Sequence, residues 1–104
     1  MVAPRVSVVV VNYHTPDLAV VAVDSALASG AVQPSVVVVD NEGDGGWARQ
    51  RYGADPRVQI IANPGNSGFG AACNQGIELA LQSGVEFVCL LNSDARLEPG
   101  TLTR

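Results

Sequence analysis

Apolar residues come in short unbroken runs, and each run ends on a polar residue. Val6-Ser7-Val8-Val9-Val10-Val11 closes at Asn12, and Val36-Val37-Val38-Val39 closes at Asp40-Asn41. Val58-Gln59-Ile60-Ile61-Ala62 closes at Asn63, and Phe87-Val88-Cys89-Leu90-Leu91 at Asn92-Ser93-Asp94. Runs of this length without alternation fit strands covered on both faces, as in a parallel sheet. Between them the period changes to that of a helix. Thr15 suits an N-cap, Pro16 the first helical position, and Asp17 the positive end of the dipole. Leu18, Val21, Ala22, Ser25 and Ala26 share one face, and Gly30 closes the segment. A second helix follows Asn66-Ser67-Gly68, with Phe69, Ala72, Cys73, Ile77, Ala80 and Leu81 at helical spacing and Gly84 at its end. Residues 41–56 are Gly-rich and read as a loop with one short helix. The order strand, helix, strand, loop, strand, helix, strand predicts an α/β fold, a mostly parallel sheet with flanking helices.

In such sheets ligands bind beyond the carboxyl ends of the strands. Here every strand end delivers an amide or a carboxylate to that rim. Asn and Asp also start turns and cap helices, which accounts for any one of them taken singly. The four together, without cations, suggest metal or ribose contacts. Asp94 is the best candidate metal ligand. Asn92 and Asp94 project to one face of an extended segment. One carboxylate plus substrate phosphates is a usual way to hold Mg2+ or Mn2+. Asp40 would instead suit an imide N–H, such as that of uracil or thymine. His14 reads as a surface loop residue. Trp47 and Tyr52 would either stack on a base or pack against the core, and packing is favoured. Gly68 and Gly70 superficially suggest GxGxxG, but Cys73 holds the third position and the block follows the third strand, so the dinucleotide fingerprint fails.

Composition narrows the chemistry. The 104 residues make one domain, 47% hydrophobic and only 15% charged, which excludes disorder. All six basic residues are Arg. Without Lys there is no Walker-A loop, no Schiff base and no Ser-Lys dyad. One His cannot build a multi-histidine zinc site. A net charge of −4 argues against nucleic-acid binding. Cys73 and Cys89 have no CxxC spacing and read as buried free thiols. No apolar run approaches the roughly 20 residues that span a membrane. Cytoplasmic location is therefore expected.

The blocks resemble the start of family 2 glycosyltransferases with the GT-A fold, in particular the rhamnosyltransferase-like branch. The similarity is carried by the strand to Asn12-Tyr13 followed by Thr15-Pro16, by the strand to Asp40-Asn41, by residues 63–77, and by Leu90-Leu91-Asn92-Ser93-Asp94. The resemblance implies a Rossmann-like half of a GT-A domain that binds a nucleotide-diphosphate sugar, UDP- or dTDP-linked, and an inverting transfer to a carbohydrate or lipid-linked acceptor. In that reading Asn12 and Tyr13 line the nucleotide pocket and Asp40 holds the base. Asn66, Gly68, Phe69 and Asn74 belong to the most specific block of the same pocket. Asn92 stands at the first position of a D-x-D element and faces the ribose or sugar. Asp94, at its last position, binds the divalent cation, Mg2+ or Mn2+. Asn92 departs from the family's first acidic position, and Gly43 stands where a Ser is frequent.

Residues 1–104 are expected to be a nucleotide-sugar-binding part cut short at its C-terminus, because members need roughly twice this length. No residue is assignable as the general base, so the chain alone is expected not to transfer sugar. The competing reading is a non-catalytic nucleotide-binding or assembly module that keeps the fold without the activity. Its unfinished sheet edge would form a homo-oligomer.

Overall fold

In the computed structural model the described residues are 6–13, 15–28, 35–41, 43–63, 68–85 and 87–92. The four apolar runs form strands β1 (Val6–Asn12), β2 (Ser35–Asp40), β3 (Val58–Ala62) and β4 (Phe87–Asn92). All pair in parallel, in the order β3-β2-β1-β4. Valine dominates because its branched side chain fits the pleat and packs on both faces. Val8, Val10, Val36 and Val38 point into one core layer, and Val9, Val11, Val37 and Val39 into the other.

Helix α1 (Pro16–Leu27) lies on the first layer and α3 (Phe69–Gln82) on the second. Thr15 is the N-cap and Pro16 the first helical residue, as the sequence predicts. The helix ends at Leu27; Gly30 lies outside the described residues. The buried stripe of α1 is Ala19, Ala22, Val23 and Ala26, whereas Leu18 and Val21 are exposed. The expected face is thus corrected by part of a turn. On α3 the buried residues are Ala72, Cys73, Gly76 and Ala80, and the expected Phe69 and Leu81 are exposed. Both corrections have one cause. A sheet faced with Val side chains admits small helix residues at close approach, so the bulkier ones turn outward.

The Gly-rich stretch holds the one short helix expected of it, α2 (Gly46–Tyr52). Its Ala48 and Tyr52 are buried in the α1 layer. Cys73 packs in the α3 layer and Cys89 against the α1 layer, so the sheet separates the two free thiols. Burial also pushes the Cys73 thiol above its usual range. Among the described residues no helix is long and apolar enough to cross a membrane.

Candidate functional site

Because the strands run in one direction, their carboxyl ends open on a single rim. Asp40 is its centre and is only 1% exposed. The register sets Asn12 directly beside it on the neighbouring strand. The Asn12 amide donates to Asp40 Oδ1 at 3.1 Å, and the backbone N–H of Gly45 donates to Oδ2 at 3.0 Å. A buried carboxylate needs such donors. Gly45 reaches it with φ 76°, the left-handed region that favours glycine. A Cβ at Gly45 would lie 3.2 Å from Ile60 and 3.4 Å from Ala62, so the turn is pressed onto β3.

The other oxygen of the same system is used as fully. Asn12 Oδ1 accepts the Thr15 backbone N–H at 3.1 Å and the Thr15 hydroxyl at 3.3 Å. Thr15 makes no side-chain cap of its own, so the strand-end amide anchors the entrance to α1.

A second amide cluster lies beside the first. Asn63 Nδ2 donates to Asn41 Oδ1 at 3.2 Å, and Asn63 exchanges two hydrogen bonds with Gln75, at 2.6 and 3.2 Å. The Asn63 backbone N–H donates to the Asp40 carbonyl at 2.8 Å. The sequence points to Asn74 rather than to its neighbour Gln75. Asn74 is exposed, and Gln75 makes the contact. The available signal was its place on α3, bordering the buried stripe in the half of the helix nearer the rim.

Two aromatic side chains are exposed where strand and helix meet this rim. Tyr13 follows β1 and is 49% exposed; Phe69 opens α3 and is 54% exposed. Gly68 precedes Phe69 with φ 85°, and added Cβ atoms at Gly68 or Gly70 would meet nothing within 4 Å. Trp47 and Tyr52 take the packing role. Trp47 is half-buried against the α1 layer, and among the described residues its indole N–H has no hydrogen-bond partner. The Tyr52 hydroxyl donates to Asp24 Oδ1 at 2.7 Å.

Asn92 ends β4 with its backbone opposite Val11. Its side chain, His14, Asn66 and Asp94 lie outside the described residues. The structure therefore brings together Asn12 and Asp40, and adds Asn41, Asn63 and Gln75. Among the described residues no group of three or more His, Cys, Asp or Glu side chains gathers to hold a metal. Arg51 and Arg57 are engaged by Asp24 and Asp55 at 2.9 and 2.8 Å. Arg49 donates to the Asp44 carbonyl.

The family description "Glycosyl transferase family 2" matches residues 7–104. The chain belongs to glycosyl transferase family 2. Among its relatives in this family, "Succinoglycan biosynthesis protein ExoO" of Rhizobium meliloti (strain 1021) is 39% identical over 102 residues. That alignment covers 97% of this chain and 28% of ExoO. Of solved structures, S. aureus TarS 1-349 superposes with a TM-score of 0.76 at 26% identity, covering 95% of this chain and 30% of that one. A second TarS structure, in complex with UDP, gives 0.75 at 25% identity. The mannosyltransferase PcManGT from Pyrobaculum calidifontis, in complex with GDP-Man and Mn2+, gives 0.72 at 24% identity and speaks to the fold alone. The parallel sheet and its helices are those of a GT-A glycosyltransferase. The family 2 chain described here spans under a third of the length of these relatives, at 28% and 30% of two of them.

Proposed function

We propose that the strand-end rim binds a nucleotide-diphosphate sugar, UDP- or dTDP-linked, for inverting transfer to a carbohydrate or lipid-linked acceptor in polysaccharide biosynthesis. One observation carries this reading. The rim joins a buried, hydrogen-bonded carboxylate to two exposed aromatic side chains, Asp40 between Tyr13 and Phe69 in chain order. A carboxylate has about four acceptor positions, and Asp40 uses two within the chain. A base imide N–H would take a third, with an aromatic face beside it for stacking. A nucleotide-sugar donor fits a cytoplasmic location, the compartment in which such donors are made.

Asp40 suits an N–H donor better than a cation, because its two oxygens already accept from the Asn12 amide and the Gly45 N–H. By the family resemblance Asp94 would hold Mg2+ or Mn2+ together with the donor's phosphates, with Asn92 toward the ribose or sugar. When bound, such a cation would supply neutralisation of the charge on a departing diphosphate. In the transfer the acceptor oxygen bonds to the anomeric carbon, and the bond from that carbon to the diphosphate breaks. The diphosphate leaves with the electron pair, and the acceptor proton goes to a general base not assigned among these residues. For that reason the 104-residue chain alone is expected to bind donor without transferring sugar.

The test is thermal. UDP or dTDP with Mn2+ should raise Tm, and Asp94→Ala should abolish the rise. No shift with any nucleoside diphosphate and metal refutes the reading. A second reading is favoured by one observation: among the described residues β4 is an edge strand, and its Phe87 and Leu90 are exposed. It makes the chain an assembly module without transfer activity. Oligomers in light scattering, with no ligand response, would select it.

A further inference from the structure

Asp40 is held from two directions, and the two holders are themselves tied together at a distance. On one side Asn12 links Asp40 to Thr15 at the start of α1. On the other side Gly45, the N-cap of α2, donates its N–H to Asp40. The helices then meet again away from the rim. Nine residues beyond Thr15, about 13 Å along α1, Asp24 receives the last residues of α2. Its Oδ1 accepts the Tyr52 hydroxyl at 2.7 Å and its Oδ2 accepts Arg51 at 2.9 Å. The Tyr52 hydroxyl also lies 3.2 Å from the Val20 carbonyl. The path Asp40, Asn12, α1, Asp24, Tyr52, α2, Gly45 and back to Asp40 is a closed ring.

We infer that Asp24 and Tyr52 are positioning residues for the donor site, holding α2 so that the Gly45 N–H stays on the Asp40 carboxylate. This deepens the donor-binding reading and rests on it. The physical need is clear from α2 itself. Seven residues are too few to hold a helix by their own hydrogen bonds. Its position therefore depends on tertiary anchors, and at its C-terminal end these are the buried Tyr52 ring and its hydroxyl bond to Asp24. A bond to a charged acceptor is the stronger kind. The Arg51 pair is exposed and contributes little. Releasing the hydroxyl would let α2 swing on the Gly43–Gly45 turn and draw the N–H off Asp40. The carboxylate would then lose the geometry in which a base meets it.

Three variants of the full 104-residue chain separate this from simple stabilisation. Tyr52→Phe keeps the ring and removes the hydroxyl. Asp24→Ala removes the charged acceptor and leaves the hydroxyl only the longer contact to the Val20 carbonyl, and Asp24→Asn keeps a side-chain acceptor while discarding the charge. The first readout needs no ligand: hydrogen exchange of the Gly45 amide by NMR, compared with amides of β1 and β2. Tyr52→Phe and Asp24→Ala should speed Gly45 exchange about tenfold while the strand amides stay protected. Asp24→Asn should restore slow exchange. The second readout is UDP affinity with Mn2+, measured well below Tm. The first two variants should weaken it about tenfold, and Asp24→Asn should stay within about threefold of wild type. Gly45 exchange that changes only in step with the strand amides, or not at all, overturns the inference. Unchanged UDP affinity in Tyr52→Phe overturns it as well. Absence of UDP binding by the wild-type chain counts against the donor-site reading, and the Gly45 exchange still decides whether the ring positions Asp40.

Discussion

Asp40 concentrates the chemistry of single residues in this chain. Its carboxylate is buried, yet it costs little because two donors are aimed at it, one from a neighbouring strand and one from a turn. The same arrangement makes it hard to replace. Asp40→Ala removes the acceptor of the Asn12 amide and of the Gly45 N–H at a buried position, at about 1–3 kcal/mol for each lost bond. Thermal or urea unfolding should therefore lose about 2–4 kcal/mol. Asp40→Asn, which keeps one acceptor oxygen, should lose less. Tyr52 offers a test through pH. Its phenol is pushed up to about 12, first by burial and then by its hydrogen bond to Asp24, with Arg51 opposing. The unfolded chain ionises this group near pH 10. The folded chain thus holds a proton that the unfolded chain has lost. Stability from Tyr52 is fully present below about pH 10 and disappears as pH rises toward 12. Tyr52→Phe should flatten the fall in unfolding free energy over that window, and a slope identical to wild type would contradict it.

The elements differ in how plainly the sequence announced them. The strands were legible because residues buried on both faces need no alternation, and a run such as Val36-Val37-Val38-Val39 can hardly be anything else. Helix faces were not. Almost every position of α1 is apolar, so the stripe through Leu18 and Val21 competes on equal terms with the stripe through Ala19 and Val23. Only the Val-covered sheet decides, and it takes the small residues. The order β3-β2-β1-β4 was likewise beyond the sequence, because four similar runs carry no label of their neighbours. At the rim, Asn12 and Asp40 were found from their place at strand ends. Gln75 was missed because its partner Asn63 is brought to it only by folding. Gly76 shows how tightly α3 is set. A Cβ there would lie 2.3 Å from Val9 Cγ1 and 3.2 Å from Val39 Cγ2. Val9 is a fully buried branched side chain with no room to yield. Gly76→Ala should therefore destabilise by about 1–3 kcal/mol, despite alanine's better helix propensity. Chemical denaturation measures this directly, and a stabilised variant would mean that α3 rides higher on the sheet.

For the whole molecule, the two edge strands that the sheet has among the described residues are unequal. Along β3 the ladder is short, and it is entered through the Asp55–Arg57 ion pair with Pro56 between them. Helix α2 lies against that strand as well. Charge, proline and a covering helix are the usual guards of an edge. Strand β4 has none of them within its span: Phe87-Val88-Cys89-Leu90-Leu91-Asn92 carries no charge and no proline. Phe87 is exposed on the α1 side and Leu90 on the α3 side, so among the described residues apolar surface flanks the edge backbone on both faces. For the 104-residue chain in solution, the available partner is a second copy. Antiparallel pairing of β4 across a two-fold axis would satisfy the same edge on both molecules. Light scattering should then give a mass that rises with protein concentration toward a dimer. Leu90→Lys places a charge at a position that is 45% exposed, where it costs the monomer little and opposes edge pairing. That variant should stay monomeric with an unchanged Tm at low concentration. A wild-type chain that remains monomeric at high concentration would mean that this edge is covered by other means.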